Sequence, residues 1–334
     1  MITISTCMIV KNEERLLARC LDCVKDFSDE IIIVDTGSTD RTKEIAAQYT
    51  TLIYDFPWIN DFAAARNFSF SKASMEYIYV ADADEIIDET NRQQIQDLKK
   101  ILLPEIDIVQ MYYTNQLEFG TTYNYDKEYR PKLIKRLREF YWQDPLHETL
   151  RLEPVIFDSD IAIIHKPHES HSARDFANLQ ALICSGTPLS PKLNIMYAKE
   201  LFIAGTEQDF LTAKDYFLSL SNRILQENEL KAVQCVLTKC GAIEQNPHLI
   251  LGSALKNVAD GQGSSEVCTC LGEYYEACKD FTEAALWYYN AAYETQCELA
   301  IQYGHELPLK GLIRCYHAIG DLEQAAYYEH ELSQ

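Results

Sequence analysis

The chain has 334 residues, with 51 acidic against 30 basic side chains and a formal net charge of −21. This balance disfavours nucleic acid as a main partner, because phosphate binding draws its affinity from lysine and arginine. With 47% hydrophobic and 24% charged residues the composition is that of a globular protein, and the length predicts two domains.

The sequence predicts a cytoplasmic protein whose thiols are reduced. No stretch approaches the roughly 18 apolar residues of a membrane span, and Lys11, Glu13 and Glu14 interrupt the region where a signal peptide would need its apolar run. The eleven cysteines are an odd number and lie mostly in helical-looking segments, unlike the disulfide framework of a secreted domain. We therefore interpret them as core thiols.

Strands and helices alternate in the first half of the chain. Apolar runs predict strands over residues 2–10, 30–34, 51–54 and 77–80. The predicted helices between them start after Asn12, a candidate helix cap, and cover residues 41–49 and 61–73. Such alternation indicates a mostly parallel sheet with helices on both faces, in which ligands bind beyond the carboxyl ends of the strands. Polar clusters follow three of these strands, so a ligand site is predicted at this edge.

Two carboxylates, Asp82 and Asp84, follow the apolar run 77–80. Their spacing of two residues points both to the same side of an extended chain, so they could share one divalent cation or divide a metal and a sugar hydroxyl between them. Hard oxygen ligands favour Mg²⁺ or Mn²⁺ over zinc. The alternative is that both are solvated turn residues.

Asp35 and Arg66 are two further candidates. Asp35 follows the run 30–34 and could accept hydrogen bonds from a base or a ribose, whereas the next polar cluster, 38–40, is explained by helix capping. Arg66 and Asn67 lie in a helix rich in alanine and phenylalanine, and the guanidinium could neutralise a diphosphate or pair with a neighbouring acid.

Four short motifs occur in order along the first 90 residues: MIVKNEE at 8–14, VDTGSTD at 34–40, ARN at 65–67 and VADADE at 80–85. Together they resemble glycosyltransferase family 2, whose members have the GT-A fold of nucleotide-diphospho-sugar transferases. The resemblance implies that Asp35 contacts the nucleotide base, Asp82 the ribose or donor sugar, and Asp84 the metal that bridges the two phosphates. It also implies that the end of the first strand, near Thr6 and Met8, contributes to the base pocket.

A second stretch extends the resemblance to a bacterial subgroup with C-terminal helical repeats. Residues 130–136 and 142–148 resemble its "RLFR … W.G.IHE" pattern, and residues 164–168 resemble its "I.H.GY" element. The chain departs from the pattern, because Lys132 replaces an arginine and Asp144 with the following proline replaces a glycine turn. The glycine and tyrosine of the last element are also missing.

An inverting transfer needs a base that takes the proton of the acceptor. Glu148 is the first candidate and Asp144 the second, while His147 could also serve at an acceptor site. His165 ends the apolar run 161–164 and could ligate the metal or contact the diphosphate. For the histidines at 165, 168 and 171 the alternative of a polar loop residue stays open.

Helical patterns dominate beyond residue 188. The pattern D-[FL]-x-x-A occurs at 209–213, 280–284 and 321–325 and resembles tetratricopeptide helix pairs, in which small alanines let neighbouring helices approach closely. We predict a GT-A domain of α/β class over 1–188 and an all-α, tetratricopeptide-like helical-repeat domain over 189–334. Within the second we predict an extended helix around 293–308.

The leading hypothesis is an enzyme: a metal-dependent, inverting glycosyltransferase that uses Mg²⁺ or Mn²⁺ and a nucleotide-sugar, expected to be UDP-linked. The resemblance to bacterial glycocin-type S/O-glycosyltransferases implies a peptide or protein acceptor, held partly by the helical domain. A cell-surface polysaccharide or a lipid-linked acceptor stays open, and a homodimer is a further candidate assembly. The alternative from a different class is a non-catalytic repeat adaptor whose α/β domain binds a nucleotide.

Overall fold

The computed structural model describes residues 1–115, 127–138, 142–143, 149–167, 172–184, 186, 188–259, 261 and 263–333. Of these, the residues up to 167 belong to one compact unit and those from 172 onward to a second. This division lies before the sequence-based domain boundary at 188, which stays a prediction about domain organisation.

The first unit is built on a large mixed sheet with helices on both faces. Its strands are β1 (Ile4–Val10), β2 (Glu30–Asp35), β3 (Ile53–Asp55), β4 (Tyr77–Ala81), β5 (Glu85–Ile86), β6 (Ile108–Thr114), β7 (Glu128–Lys135), β8 (Trp142–Gln143), β9 (Thr149–Leu150) and β10 (Ile156–His165). Its helices are α1 (Leu17–Val24), α2 (Thr42–Ala46), α3 (Phe62–Lys72) and α4 (Glu89–Ile101).

Eight of these strands form one sheet in the order β3-β2-β1-β4-β7-β6-β10-β5, and β8 pairs with β9 separately. The first four strands of the chain run parallel, β6 and β10 are parallel to each other, and β7 is antiparallel to both of its neighbours. The carboxyl ends of β1, β2, β4, β6 and β10 therefore meet at one edge of the sheet, which we call the carboxyl edge.

The two faces of the sheet carry separate cores. Leu17 and Leu21 of α1 and Ile95 of α4 pack against one face, where Met8 and Tyr79 are fully buried. The other face, which contains Cys7, Ile32 and Val34, is covered by Phe68 and Phe70 of α3. The α/β class predicted for this half of the chain is confirmed by these layers.

The predicted helix cap at Asn12 is wrong. Helix α1 begins at Leu17 and has no side-chain cap. Asn12 has a φ of 56° and instead joins the loop after β2, because its Oδ1 accepts a hydrogen bond from Thr39 N at 2.8 Å and its own N–H donates to Ser38 Oγ at 2.9 Å. The two loops at the ends of β1 and β2 thus brace one another.

Among its described residues the second unit consists of helices, their connections and one isolated β-bridge between Ser264 and Gln296. Its helices are α5 (Ser172–Cys184), α6 (Pro191–Ala204), α7 (Glu207–Ser221), α8 (Glu227–Ile243), α9 (Pro247–Val258), α10 (Ser265–Ala277), α11 (Phe281–Tyr289), α12 (Glu306–Ile319) and α13 (Leu322–Leu332). The repeated D-[FL]-x-x-A pattern has a structural basis here. Asp280 and Asp321 cap α11 and α13 by accepting backbone N–H groups, and the alanines at the fifth position of the pattern are buried.

The extended helix predicted around 293–308 is wrong, since a π-helical turn (Asn290–Glu294) and a 3₁₀ turn (Ile301–Gly304) precede α12. The chain between these turns is held by Glu266 of α10, which is fully buried. Its carboxylate accepts the N–H groups of Glu298, Leu299 and Ala300 at 2.7 to 3.1 Å. A buried carboxylate thus replaces the helical partners of these amides.

All eleven cysteines are free, and eight of them are buried, which confirms the interpretation as core thiols for those eight. None of the described helices combines the length and the apolar composition of a membrane span.

Candidate active site

The carboxyl edge carries four of the predicted residues, at or directly after the ends of β2, β4 and β10. Strand register places Asp35 beside Val10 at the end of β1, and Ala81, the residue before Asp82, beside Met8. The short strand β5 folds the chain after Asp84 back along β10, so that Glu85 pairs with His165. Asp35, the Asp82–Asp84 pair and His165 come from three separate segments of the sequence but lie along one edge of the sheet.

Asp35 ends β2 with a side chain that is almost fully buried. Its Oδ1 accepts the backbone N–H groups of Gly37 and Ser38, each at 2.9 Å, and Lys43 Nζ lies 4.0 Å away. Gly37 has a φ of 102°, a conformation that glycine adopts without strain and that turns the loop back over the carboxylate. Within the described chain Oδ2 has no hydrogen-bond partner. One carboxylate oxygen is thus fixed by the loop, and the other keeps acceptor capacity that no described residue uses.

Asp82 and Arg66 form an ion pair. Arg66 lies on α3, and its terminal nitrogen is 3.1 Å from Asp82 Oδ1. Both side chains are partly exposed, at 29% for Arg66 and 40% for Asp82. Desolvation raises the pKa of Asp82, but the positive charges of Arg66 and Lys132 outweigh it and hold the pKa below its usual value. Of the two partners that the sequence left open for Arg66, the structure shows the neighbouring acid, Asp82.

Asp84 and His165 face each other across the turn, with Nε2 of the imidazole 3.2 Å from Asp84 Oδ2 and both side chains mostly buried. The backbone braces this contact, because Lys166 N donates to Asp84 O at 2.9 Å and Arg19 donates to Lys166 O at 2.9 Å. The ring of Tyr113 lies 5.2 Å from the imidazole. Asp84 of the VADADE motif and His165, the histidine predicted near the phosphates, thus lie in direct contact.

Sequence reasoning missed the residue next to Asp84. Glu85 is 2% exposed and its two oxygens accept from Lys132 Nζ of β7 at 2.6 and 2.9 Å. Burial raises the pKa of Glu85 to about 7, although the ammonium of Lys132 acts in the opposite direction. The sequence signal for this ion pair is Lys132 within the strand-like stretch 130–135, because a lysine buried in a strand is costly unless an acid pairs with it.

Thr6 and Met8 lie inside β1, which continues to Val10. The Thr6 hydroxyl is hydrogen-bonded to Ser28, which lies before β2, and Met8 is fully buried in the core under α1. The structure does not bring these two side chains to Asp35, and their role in a base pocket stays a prediction. Glu148, Asp144 and His147, the candidate acceptor-site residues, lie outside the described residues, as do His168 and His171.

The donor groups present suit a cation that is shared with a substrate. Among the described residues no three His, Cys, Asp or Glu side chains are grouped to hold a metal ion on their own. Mg²⁺ is commonly bound through one or two carboxylates together with substrate phosphates, so a complete protein cage is not required. Asp84 with His165 beside it, and Asp82 on the same turn, fit such a partial site.

Carboxylates at the carboxyl edge of a largely parallel sheet lie where α/β domains bind their ligands. Residues 5–151 match the family described as glycosyl transferase family 2, so the chain carries a domain of that family and the GT-A fold predicted from the four motifs is confirmed.

Two curated relatives match different lengths of the chain. The SPbeta prophage-derived glycosyltransferase SunS of Bacillus subtilis is 28% identical over 246 residues, which cover 68% of this chain and 55% of SunS. A TPR repeat-containing protein of Synechococcus elongatus is 48% identical over 85 residues, which cover 25% of this chain and 21% of that protein. The chain thus spans about half of one relative and about a fifth of the other.

Among solved structures, glucosyl-3-phosphoglycerate synthase from Mycobacterium tuberculosis, in complex with Mg²⁺ and uridine diphosphate, aligns with a TM-score of 0.37 and 16% sequence identity. The alignment covers 57% of this chain and 81% of that protein.

Proposed function

We propose that the protein is a metal-dependent glycosyltransferase that moves a sugar, with inversion, from a UDP-linked donor to a peptide or protein acceptor. The observation that carries the proposal is the carboxyl edge of a family 2 domain, where Asp35 ends β2 and the turn with Asp82 and Asp84 follows β4, on the two sides of β1. The peptide acceptor rests on the resemblance to glycocin-type transferases. It is supported by the match to SunS, which is longer than the family match at 5–151.

Each residue of the edge has a task that its contacts allow. Asp35 receives the base through Oδ2, since its other oxygen is held by the loop amides. Arg66 turns from Asp82 to the diphosphate, where a guanidinium can offset the charge that develops on the leaving group. Asp84 and His165 would hold Mg²⁺ or Mn²⁺, and the cation would supply charge stabilisation for the departing diphosphate. The base that takes the acceptor proton stays assigned to Glu148, with Asp144 as the second candidate.

A thermal-shift panel of nucleotide-sugars, with and without Mn²⁺, tests the donor. A ligand that binds only the folded state raises the melting temperature, by an amount that grows with its concentration over Kd. We expect UDP-sugars to raise it in Mn²⁺ and to lose most of this effect in EDTA, while GDP- and CDP-sugars give smaller shifts. A protein that binds UDP-sugar in Mn²⁺ but neither hydrolyses nor transfers the sugar would favour the repeat adaptor, and a protein that binds no nucleotide-sugar would contradict both.

Asp35→Asn is expected to weaken UDP binding about tenfold to a hundredfold, because an amide presents an N–H where the base requires an acceptor. Isothermal titration of UDP in Mn²⁺ measures the loss. Glu44→Gln is the matched control, since Glu44 is an exposed carboxylate that pairs with Arg41 in the same unit. Equal UDP affinity in Asp35→Asn and wild type would remove Asp35 from the base site.

A further inference from the structure

A buried ion pair lies directly behind the acidic turn of residues 82–85. Lys132 and Glu85 are 4% and 2% exposed, and the ammonium contacts both carboxylate oxygens. Desolvating two charges is costly, and apolar residues of similar volume often stabilise a core equally well. Core stability alone therefore gives little reason for this pair.

The Glu85–Lys132 pair is linked both to the turn that carries Asp84 and to the strand that carries His165. Glu85 begins β5 directly after Asp84, and its partner in the strand register is His165 of β10. Lys132 Nζ lies 5.8 Å from the centre of the Tyr113 ring, and this ring in turn packs 5.2 Å from the imidazole of His165. A displacement of Lys132 would thus disturb both the turn of residues 82–85 and the side chain of His165.

The turn contains three carboxylates in four residues, Asp82, Asp84 and Glu85. A cation at the carboxyl edge attracts all three carboxylates, and the carboxylate nearest to Asp84 in sequence is that of Glu85. Lys132 occupies both oxygens of Glu85 inside the core, so this carboxylate is withdrawn from the edge. Asp82 and Asp84, with exposures of 40% and 14%, keep partial access to ligands.

We propose that Lys132 is a positioning residue, which anchors Glu85 beneath the turn and so fixes Asp82 and Asp84 in the arrangement that binds the cation and the diphosphate. This inference rests on the proposed function. It assigns Lys132 no contact with substrate; its effect passes through Glu85 and the Tyr113–His165 contact.

The central test is the double variant Lys132→Met/Glu85→Gln, which removes both charges and nearly keeps the volume. Because neutral replacement of a complete buried pair is often tolerated, we expect a folded protein with a melting temperature close to that of wild type. UDP affinity in Mn²⁺ should nevertheless fall about tenfold to a hundredfold, the usual effect of losing a group that orients metal ligands. The Mn²⁺ concentration for half-maximal activity should rise in parallel.

Two further variants separate positioning from general stability. Lys132→Arg keeps the charge, places at 132 the residue usual in the resembling subgroup, and should retain Mn²⁺-dependent UDP binding. Lys99→Met/Asp29→Asn removes another partly buried pair of the same unit, located at the opposite edge of the sheet, and should leave UDP affinity unchanged.

A folded Lys132→Met/Glu85→Gln variant with wild-type UDP affinity and kcat would overturn the inference and leave the proposed function intact. A wild-type protein without Mn²⁺-dependent UDP binding would instead overturn the proposed function, and the inference with it. Should the double variant fail to fold, Glu85→Asp decides, because it keeps the charge and shortens the side chain by one methylene. Weaker Mn²⁺-dependent UDP binding by folded Glu85→Asp supports positioning, and unchanged binding overturns it.

Discussion

Under the proposed function, replacing Asp84 with asparagine is expected to lower kcat/KM for sugar transfer by about three orders of magnitude, because loss of the carboxylate assigned to the metal would remove several kcal/mol of charge stabilisation from the transition state. Asparagine is nearly isosteric with aspartate, and the hydrogen bond from Lys166 is made to the backbone oxygen of residue 84, which the substitution keeps. The fold should therefore persist. Initial rates of UDP release at several Mn²⁺ concentrations measure the effect, and added Mn²⁺ should restore little of the activity.

Asp97→Asn is the matched control for this substitution. Asp97 lies on α4 of the same unit, is 56% exposed and pairs with Lys100 and Gln93 at the surface. It should transfer sugar at the wild-type rate. If Asp84→Asn hydrolyses and transfers UDP-sugar as fast as Asp97→Asn does, the assignment of Asp84 to the metal is wrong.

The largest expected effect on stability is that of Gly241→Ala in the helical unit. A Cβ at position 241 of α8 would lie 2.6 Å from the backbone N and 2.8 Å from the Cα of Ile250 in α9. Backbone atoms cannot swing aside as a side-chain end can, so the two helices must separate. We expect the free energy of unfolding to fall by about 3 kcal/mol or more, at the upper end of overpacking costs. Urea denaturation followed by circular dichroism measures it.

Gly252→Ala provides the opposite outcome within the same helix pair. Gly252 lies on α9, and a Cβ there meets no atom within 4 Å. Since glycine inside a helix is less favourable than alanine by about 1 kcal/mol, this variant should be more stable than wild type. Equal destabilisation by both substitutions would contradict the close approach of α8 and α9 at residue 241.

The sequence was sufficient for the parts of the fold that depend on periodicity. Apolar runs of four or more residues became β1, β2 and β4 within a few positions, and their polar successors lie at the carboxyl edge. This worked because parallel strands must align their ends whatever the loops do. Asp35, Asp82 and Asp84 could be selected on that basis alone.

Contacts between distant segments could not be read in the same way. The pairing of Glu85 with Lys132 joins positions 47 residues apart, and Glu266 holds amides more than 30 residues away. Neither acid stands in a pattern that marks it as buried. Asn12 was misassigned for a related reason, because its partner Thr39 lies in another loop and competes with local capping.

In their ion pair at the carboxyl edge, Arg66 and Asp82 neutralise each other's charge. Under the proposed function the diphosphate draws the Arg66 guanidinium away from Asp82, which frees Asp82 for the cation. The cation in turn draws Asp82 away from Arg66, which frees the guanidinium for the diphosphate. Such an arrangement couples the two binding equilibria, and the coupling must be reciprocal. Metal and nucleotide would then bind weakly alone and tightly together, so that the enzyme responds to the metal–nucleotide complex rather than to either component.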